Sequence, residues 1–156
     1  MSGGGRFRYA LEPVLLMRTW HLDALLLELS EQNGAIAAQS LAQADIQGRV
    51  AQVSEAWNEE TSSGRAQSVD RFMLVTRYLG DLARQAREAA ARMAELKAQR
   101  DETIERVVAA KRGVEAAEAH RQDMHARYIR QRLSGDFKLA DDQWNTLQAG
   151  AIVHGS

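Results

Sequence analysis

Apolar residues recur along this chain at alternating steps of three and four, the spacing of a coiled-coil seam. From Leu11 the register runs through Leu15, Arg18, Leu22, Leu25, Leu29, Gln32, Ile36, Gln39, Gln43, Ile46, Val50, Val53 and Trp57. Ten of those fourteen positions are apolar, with no skip. A second register starts at Phe72 and passes Val75, Leu79, Leu82, Ala86, Ala89, Met93, Leu96, Arg100, Thr103, Val107, Ala110, Val114, Ala117, Arg121, Met124, Tyr128 and Gln131. Fourteen of its eighteen positions are apolar, counting alanine and tyrosine. The pattern predicts one helix over about 11–58 and another over about 69–133.

The stretch 58–68 between them is polar, with turn formers at Thr61-Ser62-Ser63-Gly64. Ser68 suits the N-cap of the second helix, because its hydroxyl can accept an orphan amide of the first turn. Folding the chain back at this loop makes the two seams antiparallel, so the numbers of facing residues should have a nearly constant sum. Trp57 with Phe72 gives 129, Val53 with Val75 gives 128, and Val50 with Leu79 gives 129. The same register sets Ile46 on Leu82, Gln39 on Ala89, Ile36 on Met93, Leu22 on Val107, Arg18 on Ala110 and Leu15 on Val114. The least comfortable pair is Leu29 with Arg100. Agreement of every layer on one register points to a hairpin within one chain rather than side-by-side chains.

The fold class expected is therefore all-α: a single-domain, long, two-helix antiparallel coiled-coil hairpin with a short C-terminal tail. The arms are unequal, roughly 65–70 Å for 13–57 and about 100 Å for 69–133 at 1.5 Å per residue. Past Ala117 the second seam has no seam partner on the first helix, which leaves an overhang over 118–133. A break is expected at Ser134-Gly135, opening the tail over 134–156. A short helix over 140–149 would put Asp141 and Asp142 in its first turn, bury Trp144 and Leu147, and end at Gly150. A tail folded back on the overhang is the further expectation. Off the seam, Leu16, Trp20 and Leu27 would either meet a partner or cover that tail.

Composition agrees with helix. The single proline is Pro13, and Ala, Leu, Gln, Glu and Arg dominate the rest. The formal net charge of −1 argues against a nucleic-acid surface. Charge is nonetheless uneven: two Arg face five acidic residues over 13–57, while fifteen Lys or Arg face eleven acidic residues over 68–138. Cysteine is absent, which removes disulfide and thiol chemistry. No stretch approaches the ~20 apolar residues of a membrane span. The start lacks a signal-peptide core, and Ser2 stands where myristoylation needs glycine, so a cytoplasmic location is expected.

Chemistry-bearing constellations are missing. His120 and His125 lie about 140° apart around a helix and are badly placed to share a metal; with His21 and His154 they read as solvated surface. Gly3-Gly4-Gly5 lacks the lysine of a phosphate loop. Asp101, Glu102 and Glu105 beside Arg100 and Arg106 read as helix-face ion pairs. The expectation is no enzyme, no metal and no cofactor.

The N-terminal string Phe7-Arg8-Tyr9-Ala10-Leu11-Glu12-Pro13-Val14-Leu15-Leu16-Met17-Arg18 resembles the opening of the FliJ/YscO family, the stalk proteins of flagellar and virulence (Hrp-type) type III secretion. The likeness extends through the two-helix plan to about residue 133. It implies a non-enzymatic coupling component that joins the hexameric export ATPase to the cytoplasmic ring of the export gate. Secretion chaperones would be further partners, and any membrane association would run through partners alone. It further implies that the paired terminal ends enter the ATPase, with Arg121, Met124, Arg127, Tyr128, Arg130 and Arg132 as contacts. Leu74 and Tyr78, an i,i+4 apolar pair off the seam at the hairpin end, would meet the gate. A coiled-coil chaperone or scaffold for secreted clients is the alternative. Flagellar and virulence systems are not distinguished by these residues.

Overall fold

The computed structural model describes residues 5–64 and 68–154, with only the helical backbone for 153 and 154. The terminal residues Met1 to Gly4, the loop residues Arg65-Ala66-Gln67, and the side chain of His154 lie outside the described residues. Two helices account for nearly all the rest: α1, Glu12–Ser62, and α2, Val69–His154. No strand occurs among the described residues. The two helices pack together, and their contacts fall into two compact units. One unit comprises Met1–Leu22 with Ala109–Ser156, the other Asp23–Val108.

Local chemistry sets the helix ends. Glu12 is the first residue of α1, where a carboxylate meets the positive end of the helix dipole. Pro13 follows in the first turn, where its missing N–H costs nothing. At the other end α1 runs to Ser62, four residues past the expected stop at 58. Thr61 and Ser62 hydroxyls donate back to the Trp57 and Asn58 carbonyls at 3.0 and 2.7 Å, so these turn formers complete the last turn instead of ending it. Gly64, at φ +71°, adopts the left-handed conformation that closes helices. Ser68 caps α2 as expected, its Oγ accepting the Arg71 amide at 3.1 Å.

In the Asp23–Val108 unit, rising numbers on α1 meet falling numbers on α2. Gln39 Nε2 donates to the Ala89 carbonyl at 3.0 Å, and the Trp57 and Phe72 rings lie 5.9 Å apart. An Arg71–Glu60 ion pair at 2.7 Å follows in the same sense. Leu25, Leu82, Ala89, Met93 and Leu96 are buried, and Leu82 keeps only 1% of its surface. Thr103 is equally buried at 1%, and its hydroxyl is satisfied by donating to the Gln99 carbonyl at 3.1 Å. Gln32 Oε1 is also buried, without a hydrogen-bond partner among the described residues. Arg100, set at the uncomfortable layer, turns its guanidinium out to Asp101 at 3.0 Å.

The other unit shows the same order. Leu15, Val114 and Ala117 form its apolar core, with Leu22 packed against it. Arg18 reaches across to α2 and donates to the Gly113 carbonyl at 3.0 Å. Of the thirty-two seam positions, only Leu11, Arg18, Phe72, Arg121, Met124 and Gln131 are exposed.

The tail departs from expectation. α2 does not break at Ser134-Gly135, and no separate short helix forms over 140–149; one helix of 86 residues runs to His154. A glycine inside a helix costs about 1 kcal/mol relative to alanine, which flanking Leu133, Lys138, Leu139 and Ala140 can absorb, whereas proline could not be absorbed. Nor are Trp144 and Leu147 buried: both stand exposed, as do Leu16, Trp20 and Leu27. The tail covers none of these.

Candidate partner-binding surfaces

The unit that holds Met1–Leu22 has a feature the heptad scan does not reveal. Residues 5–9 are not helical, and they run beside α2 as an extended strap. Alternate residues of an extended segment share a face, so Phe7 and Tyr9 both reach α2. The Phe7 ring stands edge-on to His125 at 4.9 Å and tilts against Tyr128 at 5.5 Å. Tyr9 is buried, and its hydroxyl is hydrogen-bonded to His120 Nδ1 at 2.5 Å. The Tyr128 hydroxyl donates to the Gly5 carbonyl, and Glu12 pairs with Arg121 at 3.2 Å.

This strap corrects two expectations. The stretch of α2 past Ala117 does have intrachain partners, as far as Tyr128. His120 and His125 are engaged by aromatic rings and are not simply solvated. An extended chain advances about 3.3 Å per residue against 1.5 Å for a helix, so residues 5–9 reach along about two turns of α2, from Tyr128 to His120. The signal available in the sequence was the i,i+2 aromatic pair Phe7 and Tyr9, ahead of the only proline.

The six residues assigned to an ATPase contact therefore differ in circumstance. Arg121 is held by Glu12, Arg127 is paired with Asp123 at 3.2 Å one turn back, and Tyr128 supports the strap. Met124 is partly exposed. Arg130 and Arg132 have no ion-pair partner among the described residues. Arg132 borders an open hollow of about 470 Å³ whose walls include Phe7, His125, Ile129, Leu133 and Asp136. In the Asp23–Val108 unit, Leu74 and Tyr78 are both exposed on α2.

Exposed ion pairs among the described residues engage two of the three carboxylates flagged in the sequence, Arg106 with Glu102 at 3.1 Å and Arg100 with Asp101, and leave Glu105 out. Among the described residues, no three His, Cys, Asp or Glu side chains converge as metal ligands would. Among the described residues, no helix is long and apolar enough to cross a membrane. No family model, curated protein or solved structure matches the chain.

Proposed function

We propose that the chain is a coiled-coil hairpin acting as a non-enzymatic coupling component of a type III protein secretion apparatus, between its hexameric ATPase and its export gate, in the cytoplasm. The observation that carries this reading is the use made of the N-terminal string. Phe7, Tyr9, Glu12, Leu15 and Arg18, which all lie within the 7–18 string that resembles the family's opening, are the residues that bind the start of the chain to α2. They tie the start of the chain to α2 between His120 and Tyr128, which gives this region the rigidity that a stalk entering a ring requires. Arg130 and Arg132, free of intrachain ion pairs among the described residues, and Arg127, held only by an exposed one, supply charge for an acidic ring surface. Leu74 and Tyr78 supply an apolar contact for the gate.

The test is whether the chain stimulates the ATP hydrolysis of a hexameric type III export ATPase from the same organism. Changing Arg127, Arg130 and Arg132 together to glutamate should abolish stimulation while leaving the helical signal and melt nearly unchanged. The one ion pair lost is exposed and worth only a few tenths of a kcal/mol. Leu74→Ala with Tyr78→Ala should spare stimulation and weaken gate binding. Reversed effects would exchange the two surfaces, and no effect from either variant would end the stalk reading. The chaperone alternative draws on exposed Phe137, Trp144 and Leu147. It requires that the chain delay aggregation of an unfolded client.

A further inference from the structure

Because α2 is unbroken, residues 129–151 stand in helical phase with one another, and their apolar members line up. At 100° per residue, Ile129, Leu133, Phe137, Ala140, Trp144 and Leu147 fall within about 80° of arc, and Ala151 continues the line. No polar residue between 126 and 151 lies inside that arc. The first residues of this apolar stripe, Ile129 and Leu133, border the hollow beside the strap, and from Phe137 onward the stripe runs clear of the strap. Its residues are open: Phe137 keeps 71% of its surface, Trp144 61% and Leu147 69%. Long helices draw most of their stability from packing an apolar face, and past Leu133 nothing among the described residues of the chain covers this one.

We propose that this stripe pairs with the same stripe of a second copy of the chain, antiparallel, about a two-fold axis at Ala140. The stripe reads nearly the same in both directions, as a self-complementary surface must. Leu133 meets the second copy's Leu147 with a number sum of 280, Phe137 meets Trp144 with 281, and Ala140 meets itself with 280. That near-constancy is the signature the intrachain seams show at 128–129. The small Ala140 on the axis lets the helices approach between two large aromatic layers. The exposed apolar side chains amount to roughly 500–600 Å² per copy, so pairing buries at most about 1,100 Å², below the ~1,200–2,000 Å² of stable interfaces. Such an area suits a reversible dimer.

Charge selects the direction. Antiparallel pairing sets Asp136 beside the second copy's Gln143, whose amide can donate to it, and brings one like-charged pair, Asp141 with Asp141, near the axis. A parallel pair would set Asp136 against Asp141 on both sides of the seam, two repulsions instead of one. This pairing stands or falls independently of the secretion reading.

The chain has no cysteine, so single replacements report register directly. Ala140→Cys should form an interchain disulfide at least about tenfold faster than Asp142→Cys on the far side of the helix, because only the axial position reaches disulfide geometry. Trp144→Cys alone should crosslink slowly, yet readily when mixed with Phe137→Cys chains. Sedimentation of the unmodified chain should move from 17.3 kDa toward twice that mass as concentration rises from about 1 to about 100 μM, the weak end for such areas. Trp144→Asp with Leu147→Asp should stay monomeric with the hairpin melt intact, and Asp141→Asn should tighten association. Equal crosslinking at positions 140 and 142, fast self-crosslinking of Trp144→Cys, or a monomer at every concentration would overturn the proposal.

Discussion

Two stretches of α2 carry apolar residues at helical spacing, and they meet opposite fates. Over Leu82, Ala89, Met93 and Leu96 the stripe is buried against α1, within the Asp23–Val108 unit. Over Phe137, Trp144 and Leu147 an apolar stripe stands in the open. Both are helical, so spacing and propensity alone decide helix formation here. Burial depends on whether a partner of matching phase is present in the same chain. A sequence that shows an amphipathic helix thus specifies the need for a partner without specifying which chain provides it.

That difference sets how each stretch should respond to mutation. The largest contrast is Leu82→Ala against Leu147→Ala. The first should cost on the order of 2–4 kcal/mol, because it empties a fully buried site. The second, in dilute protein, should fall within about 0.5 kcal/mol of neutral. Thermal melts followed at the helical band will measure both, and similar midpoints would erase the distinction.

Gly135→Pro probes the same contrast along the backbone. Proline costs about 3 kcal/mol inside a helix and should unravel or kink α2 locally. Because residues past this point pack on nothing among the described residues, helical signal should fall while the main melting midpoint stays fixed. A midpoint that falls with it would mean that the tail is packed after all.

The smallest expected effect separates two glutamines within the buried seam. Gln39 gives its amide to the Ala89 carbonyl, whereas Gln32 buries an oxygen that has no partner among the described residues. Gln39→Ala should lose about 1 kcal/mol and Gln32→Leu should gain a similar amount, the difference between a satisfied and an unsatisfied buried amide. Denaturant midpoints of the two variants, read at unchanged slope, should therefore move in opposite directions.

Much of this molecule was legible as pattern. The Trp57–Phe72, Gln39–Ala89 and Leu15–Val114 layers all follow from a three-and-four count and a constant sum, since helical geometry maps sequence spacing directly onto faces. Ser68 was legible as a cap because a hydroxyl at that place has one obvious use. The candidate surfaces were read less well. Arg121 and Tyr128 looked unpartnered because a heptad count follows helices only, and the segment that engages them is extended.

What the sequence determined by itself is the helices, the seam and its register, since these rest on local propensity and periodicity. Only the tertiary structure decided that Phe7 and Tyr9 strap the start of the chain to α2. It alone also decided that Ser134-Gly135 stays helical and so brings Leu133, Phe137, Ala140, Trp144 and Leu147 onto one face. The first outcome rests on contacts between segments distant in sequence, which a helical count does not follow, and the second on a local balance of about 1 kcal/mol between a glycine and the helix formers that flank it, too small to settle by inspection.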